Sequence, residues 1–391
     1  MQIKYVFFVI AIILLSGCLN NEQTETTPWG TPIQGKDVAM GNIQDSANVD
    51  TFKLSDIQNN GEMIMLTLTG PDSYYDHRGY KMGLQYKLCE RFAQKIGVSL
   101  RVDVCKDIDE MLDKLHEGEG DVIAYPLPKD IKDVLYCASS WAVNKGNREL
   151  ADTLNHWYSP ELAQKVKAEE EFLLSTRSIS RHEYAQILNK SGGVISHYDE
   201  YFRRYAHLAR WDWRLLAAQC YQESTFDPKA QSFAGACGLM QLMPGTAHDL
   251  GLEPEQVWEP EKNIAAAAKY IGQLNYHFRD IRNSNERTKF VLAAYNGGAF
   301  HVRDAMSLTE KNGGNPHKWE EVSEYVKKLA TPEFYNDSIV KYGYMRGSET
   351  ANYVTRIHSI WRTYRGVAKP HHGNTATAKP QKAKRKNKYR V

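Results

Sequence analysis

Leu215-Leu216-Ala217-Ala218-Gln219-Cys220-Tyr221-Gln222-Glu223-Ser224-Thr225-Phe226-Asp227-Pro228 is the stretch on which the reading of this chain turns. Its first half is apolar on nearly every side, which suits a helix inside a domain core. Asp227-Pro228 then turns the chain, and Glu223 is left in the final helical turn. The free carbonyls of a helix C-terminus carry partial negative charge and oppose a second negative charge there. Apolar neighbours oppose it as well. Both effects favour a protonated carboxyl near neutral pH, the state a general acid needs, and a carboxyl in an apolar pocket reaches a pKa of about 6. Taken alone, a Glu at a helix end is most often a surface charge, so the weight falls on what surrounds it.

Three further blocks follow in order. Ala234-Gly235-Ala236-Cys237-Gly238-Leu239-Met240-Gln241-Leu242-Met243-Pro244-Gly245-Thr246-Ala247 begins eleven residues after Glu223. Ala293-Ala294-Tyr295-Asn296-Gly297-Gly298 and Glu349-Thr350-Ala351-Asn352-Tyr353-Val354 come later. Between them the pattern is helix after helix: residues 198–208 and 213–223 are amphipathic, and Ile264, Ala267, Ala268, Ile271, Leu274 and Phe278 share one helical face. A helix over 290–295 stops at Asn296-Gly297-Gly298, and residues 348–362 form a last one. The four blocks in this order resemble the lysozyme-like domain of the soluble-lytic-transglycosylase family, over residues 197–365.

That resemblance implies a mainly α domain acting on peptidoglycan glycan strands. It makes Glu223 the single catalytic acid and base. Ser232 matches a serine that contacts the sugar, Gln241 and Met243 match groups lining the glycan groove, Tyr295 and Asn296 match the motif beside the cleavage site, and Tyr353 matches a tyrosine facing the acid. A core role with a satisfied hydroxyl is the alternative for Tyr295. Gly235, Gly238, Leu239 and Leu242 read as turn and core. The implied reaction cuts the β-1,4 bond between N-acetylmuramic acid and N-acetylglucosamine and leaves 1,6-anhydro ends. The resemblance gives no second carboxylate a role, so a covalent glycosyl-enzyme is not indicated. Neither a metal nor a cofactor is called for, and no HExxH, Walker loop or GxSxG suggests other chemistry. The rival readings are a lysozyme-type hydrolase and a non-catalytic wall-binding or sensing lipoprotein.

Upstream the pattern is different. Residues 63–69 read as a buried strand ending at Gly70-Pro71, residues 84–96 as a helix closed by Gly97, and 98–104 as an alternating strand. A short helix over 108–115 ends at Gly118, and 121–125 form a third strand stopped by Pro126. This alternation implies a small parallel sheet with helices on its faces. The strand 64–69, the stretch 83–93 and Gly120-Asp121-Val122-Ile123-Ala124 resemble one lobe of the periplasmic solute-binding fold. In that fold a second lobe follows the third strand. Here only residues 127–136 separate it from Cys137-Ala138-Ser139-Ser140-Trp141-Ala142-Val143, which reads as the returning strand, and 147–157 read as the terminal helix. The second lobe is therefore missing, which favours a scaffold or protein-contact role over amino-acid binding. Residues 158–195 read as helical and charged, broken by Ser191-Gly192-Gly193.

The chain has 391 residues, 49 Lys+Arg and 47 Asp+Glu, for a net charge of +2. Residues 366–391 hold six Lys, two Arg and no acid, so the rest carries −6. This ordinary balance excludes a mostly disordered chain, a collagen and a small disulfide scaffold. Residues 6–15 are one apolar block, too short to span a bilayer and right for a signal-peptide core. Leu15-Ser16-Gly17-Cys18 follows and resembles a bacterial lipobox; an ordinary signal peptide with an incidental Cys is the alternative. Lipid at Cys18 anchors the protein in the cell envelope, and Leu19 leans the sorting toward the outer membrane, facing the periplasm. Five other cysteines remain: Cys220 and Cys237 either bridge or, with the rest, stay as buried thiols.

The expected organisation is α+β and multidomain: signal peptide 1–17, polar tether 18–60, single solute-binding-like lobe 61–175, linker 176–196, lysozyme-like domain 197–365 and basic tail 366–391. Expected partners are glycan strands, the membrane through Cys18, and cell-wall proteins through residues 61–175, with no nucleic acid.

Overall fold

A computed structural model describes residues 53–175 and 180–367. Cys18, the apolar block before it and the Lys/Arg run near the C-terminus lie outside the described residues. The lobe begins with α1 (Leu54–Asn60), β1 (Glu62–Thr67), β2 (Tyr75–His77), β3 (Tyr80–Met82) and α2 (Leu84–Ile96). It continues through β4 (Ser99–Val104), α3 (Ile108–Glu117), β5 (Val122–Ile123), β6 (Val134–Cys137), β7 (Trp141–Asn144), α4 (Arg148–Trp157) and α5 (Pro160–Leu173).

Five of these strands form one sheet in the order β4-β1-β5-β7-β6. β1 lies parallel to β4 and β5, with Met65 opposite both Val102 and Val122. β1 is covered on both faces, which is why it reads as an apolar run: Met63 and Met65 pack with Leu88, Phe92, Trp141 and Leu150, and Leu66 packs with Met111, Leu115 and Ile123.

Three expectations for this region need correction. The sheet is mixed: β7 runs antiparallel to β5 and β6 antiparallel to β7. The expected returning strand over 137–143 is in fact two strands joined by a 3₁₀ turn at Ala138–Ser140. β6 and β7 form a hairpin, and β7 sits between β5 and β6, antiparallel to both. The end of the stretch read as tether is α1, whose Leu54 and Ile57 are buried against the lobe.

The helical domain comprises α6 (Asp199–Ala209), α7 (Trp213–Ser224), α8 (Pro244–Asp249), α9 (Pro260–His277), α10 (Ser284–Gly297), α11 (Ala299–Lys311), α12 (Trp319–Lys328), α13 (Pro332–Tyr335) and α14 (Gly347–Arg365). Leu215 through Cys220 of α7 are all buried, so this helix runs through the core. It packs against α6 and α14, with Phe202, Ile264, Ile271, Phe290, Val354 and Ile357 filling the space around it. Residues 180–198 are not helical as expected. Ser180 exchanges two backbone hydrogen bonds with Gln231, at 3.0 Å each, and Leu188 N–H donates to Ile195 O at 2.9 Å. The segment is stitched to a loop of the helical domain, and partners of that kind are open to an extended chain and closed to a helix. Cys89, Cys105, Cys137, Cys220 and Cys237 are all free and buried.

Candidate active site

Where α7 ends, the chain takes two consecutive left-handed residues, Thr225 at φ 54° and Phe226 at φ 64°. Neither is a glycine, so this turn is strained. It brings the end of α7 to a groove of about 540 Å³, and Glu223 lines that groove together with Ser232, Gln241, Met243, Tyr295 and Asn296. Tyr353 completes the set predicted from sequence, since its hydroxyl donates to Glu223 Oε1 at 2.5 Å. Gln219 Nε2, one helical turn before Glu223, donates to the same hydroxyl at 3.1 Å. Oriented from two helices, the carboxyl is only 8% exposed. Burial raises its pKa to about 6; the Arg78 guanidinium and the Tyr353 hydrogen bond pull it down, Glu349 pushes it up, and Arg181 pulls it down.

One wall of the groove is the loop over residues 230–243. Cys237 and Leu242 pair through two backbone hydrogen bonds of 2.9 and 3.1 Å. Gly238 has φ 76°, and a Cβ there would lie 2.6 Å from Val257 O, so only glycine suits the turn. Asn263, fully buried on α9, holds the loop from behind. It accepts from Met240 N–H at 2.8 Å and donates to Val257 O at 2.8 Å and Cys237 O at 3.3 Å. Gln241 spends both amide hydrogens on the loop, donating to Ala230 O and Gly238 O. Tyr295 donates to Met240 O at 2.8 Å, so its hydroxyl fastens the loop while its ring lines the groove. Asn296 accepts from Thr350 Oγ1 at 2.8 Å, and its buried Nδ2 has no hydrogen-bond partner among the described residues. Ser232 accepts from Ala236 N–H at 3.0 Å through its hydroxyl oxygen.

The opposite contribution comes from the lobe, and the sequence reading missed it. β2 and β3 pair antiparallel, His77 opposite Tyr80, around a two-residue turn. Arg78 (φ 56°) and Gly79 (φ 75°) both have positive φ, the pattern of a type I′ hairpin. Asp76, Arg78 and Gly79 line the same groove as Glu223. Arg78 Nη2 donates to Glu349 Oε1 at 2.7 Å, and His77 and Arg346 approach the other oxygen at 3.7 and 3.6 Å. The signal available in sequence was the Arg78-Gly79 pair between short runs of Tyr and Met. Strands of three residues are too brief to show a period of two.

Two further carboxyls therefore stand near Glu223: Asp76, from outside the motif blocks, and Glu349, the first residue of the last block. Asp76 Oδ1 accepts from Gly79 N–H at 2.7 Å and closes its own turn. Glu349 is surrounded by His77, Arg78 and Arg346. Both are engaged in structure, and of the three carboxyls at the groove Glu223 is the one that combines burial, an orienting hydroxyl donor and a raised pKa.

The site is thus a buried carboxyl with a raised pKa at the end of a core helix, facing a groove of the helical domain. Residues 200–318 match the family model described as the Transglycosylase SLT domain. The chain is similar to membrane-bound lytic murein transglycosylase F of Desulfosudis oleivorans, at 32% identity over 238 residues, which is 60% of this chain and 50% of that one. It thus spans half the length of that relative. With the Salmonella choleraesuis protein of the same name it shares 26% identity over 468 positions, 91% of this chain and 86% of that one. That aligned length exceeds the 391 residues here, so the relative carries residues that have no counterpart in this chain. The soluble lytic transglycosylase SLT70 of Escherichia coli is 27% identical over 43% of this chain and 24% of its own, with a TM-score of 0.32.

Proposed function

We propose that this protein is a lytic transglycosylase that cleaves the β-1,4 bond between N-acetylmuramic acid and N-acetylglucosamine in peptidoglycan. The observation that carries the reading is the buried Glu223 carboxyl, held by Tyr353 at 2.5 Å with its pKa at about 6, in the groove that the sequence candidates line. Protonated Glu223 donates to the glycosidic oxygen, the bond from that oxygen to the muramic anomeric carbon breaks, and the N-acetylglucosamine side leaves with a free hydroxyl. The N-acetyl oxygen of the muramic residue stabilises the positive charge left on the anomeric carbon. Glu223, now ionised, takes the proton of the muramic C6 hydroxyl as that oxygen attacks, and the ring closes as a 1,6-anhydro sugar. The acid returns to its starting state, and no step calls for a metal or cofactor.

Mass spectrometry of purified murein after digestion tests this. Anhydro ends are expected from the wild type and none from Glu223→Gln; a Glu223→Gln protein that still releases them would sink the mechanism. Asp76 in the groove supports a second reading, a lysozyme-type hydrolase, which the same spectra separate by reducing ends. The anchor at Cys18, outer-membrane placement and contact with wall proteins through residues 61–175 belong to the proposal too. Cys18→Ala should move the protein from the membrane fraction to the soluble one.

A further inference from the structure

We infer that Arg78, carried by the N-terminal lobe, is a positioning residue of the catalytic centre: its guanidinium completes the site across the contact between lobe and domain and stabilises Glu223 in the ionised form the reaction must pass through. The inference rests on the function proposed above and adds a residue from outside the matched domain.

Geometry carries it. Arg78 and Glu223 line one groove although they belong to different parts of the chain. The Arg78 side chain is fixed, not free to swing, because Nη2 is bonded to Glu349 Oε1 at 2.7 Å on α14, the helix that also bears Tyr353. Its Nε is buried and has no hydrogen-bond partner among the described residues, so the guanidinium charge is not shared with a further acceptor there. Its backbone is left-handed at φ 56°, a conformation that Gly or Asn adopts far more readily at this position of a type I′ turn. An arginine held there against preference points to a role for the side chain.

The chemistry explains what that role is. Burial alone makes Glu223 a weak acid, reluctant to release its proton to a leaving oxygen. A nearby fixed cation stabilises the carboxylate as it forms and needs no reorganisation at that moment. The groups that act on Glu223 are Arg78 from the hairpin, Glu349 and Tyr353 from α14, Arg181 from the segment before α6, Tyr295 from α10 and Cys220 from α7. Arg78 is the largest of the influences that favour ionisation, and Glu349 opposes it.

The test uses the full chain and follows the Glu223 carboxyl directly. Glutamate labelled with ¹³C at the side-chain carboxyl is titrated by NMR, and Glu223 is assigned by its loss in Glu223→Gln. Arg78→Gln should raise the midpoint by about one pH unit. Glu349→Gln, which cuts the same ion pair from its other end, should lower it. Opposite signs from the two variants separate a charge effect from a packing defect, which would not move the carboxyl both ways. Arg78→Lys should keep the wild-type midpoint. Activity gives a second readout: Arg78→Gln should lower kcat about tenfold, carry the alkaline limb upward and leave KM within twofold. An unmoved midpoint in Arg78→Gln overturns the inference. So does a rise in activity, which would make the hairpin an obstruction in the groove. Absence of anhydro ends from the wild type would count against the proposed function alone, since the titration does not depend on turnover.

Discussion

Glu223 is held where its neutral form is favoured more than it is in water, and this links folding to pH. Its carboxyl moves from an ordinary 4.5 to about 6 on folding. The folded state then binds the proton more tightly, so stability falls as pH rises from the unfolded value through the folded one. A rise of that size corresponds to about 2 kcal/mol lost at neutral pH. Glu223→Gln should therefore stabilise the protein by about 2 kcal/mol at pH 7.5 and by almost nothing at pH 4. Thermal melts at both values check it, and an equal gain at the two would contradict the linkage. Tyr353→Phe removes the donor at 2.5 Å and keeps the ring. With that bond gone the carboxylate is less stable, so the alkaline limb should move up and kcat should fall about tenfold, the worth of one hydrogen bond to a charged group.

At the scale of elements, the groove is a helix end, a loop and a hairpin brought together, and each was legible to a different degree. The end of α7 could be read because its signals are local: an apolar run, a carboxylate, then Asp227-Pro228. The loop could be recognised by its block of residues, but its support could not. Asn263 lies on the next long helix and reads as an ordinary polar position, yet it is fully buried and makes three bonds to the loop and its flank. Asn263→Ala should cost about 2–4 kcal/mol by taking the side-chain partner from Met240 N–H and Val257 O. It should also raise KM for glycan more than it lowers kcat, because Gln241 and Met243 lose their fixed places. A denaturant melt and steady-state kinetics check the two parts, and unchanged KM in a destabilised variant would show that the loop holds without it. The hairpin of β2 and β3 was not legible. Its strands have three residues each, and the partner that gives Arg78 meaning, Glu349, is 271 residues away. The hairpin return of β6 and β7 was missed for a related reason, since a strand that turns back on itself leaves the same apolar letters as one that runs straight.

Taken whole, the molecule joins its lobe to its helical domain along a seam that ends at the groove lined by Glu223, and both belong to one compact unit. Tyr75 and Met82 of the lobe are buried with Tyr344, and Tyr80 meets Phe233 edge to face at 5.9 Å. Tyr344 N–H donates to Thr69 Oγ1 at 3.0 Å. Beside it Gly343 has φ 72°, and a Cβ there would lie 2.5 Å from Thr69 Oγ1. Gly343→Ala must therefore strain its own backbone or push Thr69 away. Thr69 and Gly343 do not line the groove that Arg78 and Glu223 share, so this variant acts first on the seam. If the lobe serves the reaction, opening the seam should withdraw Arg78, raise the Glu223 titration midpoint as Arg78→Gln does, and lower turnover. Amide exchange at Tyr344 should quicken in the same variant while the helical circular dichroism stays unchanged. Faster exchange at Tyr344 with a Glu223 midpoint that stays in place would mean that the lobe is attached to the enzyme without taking part in its chemistry.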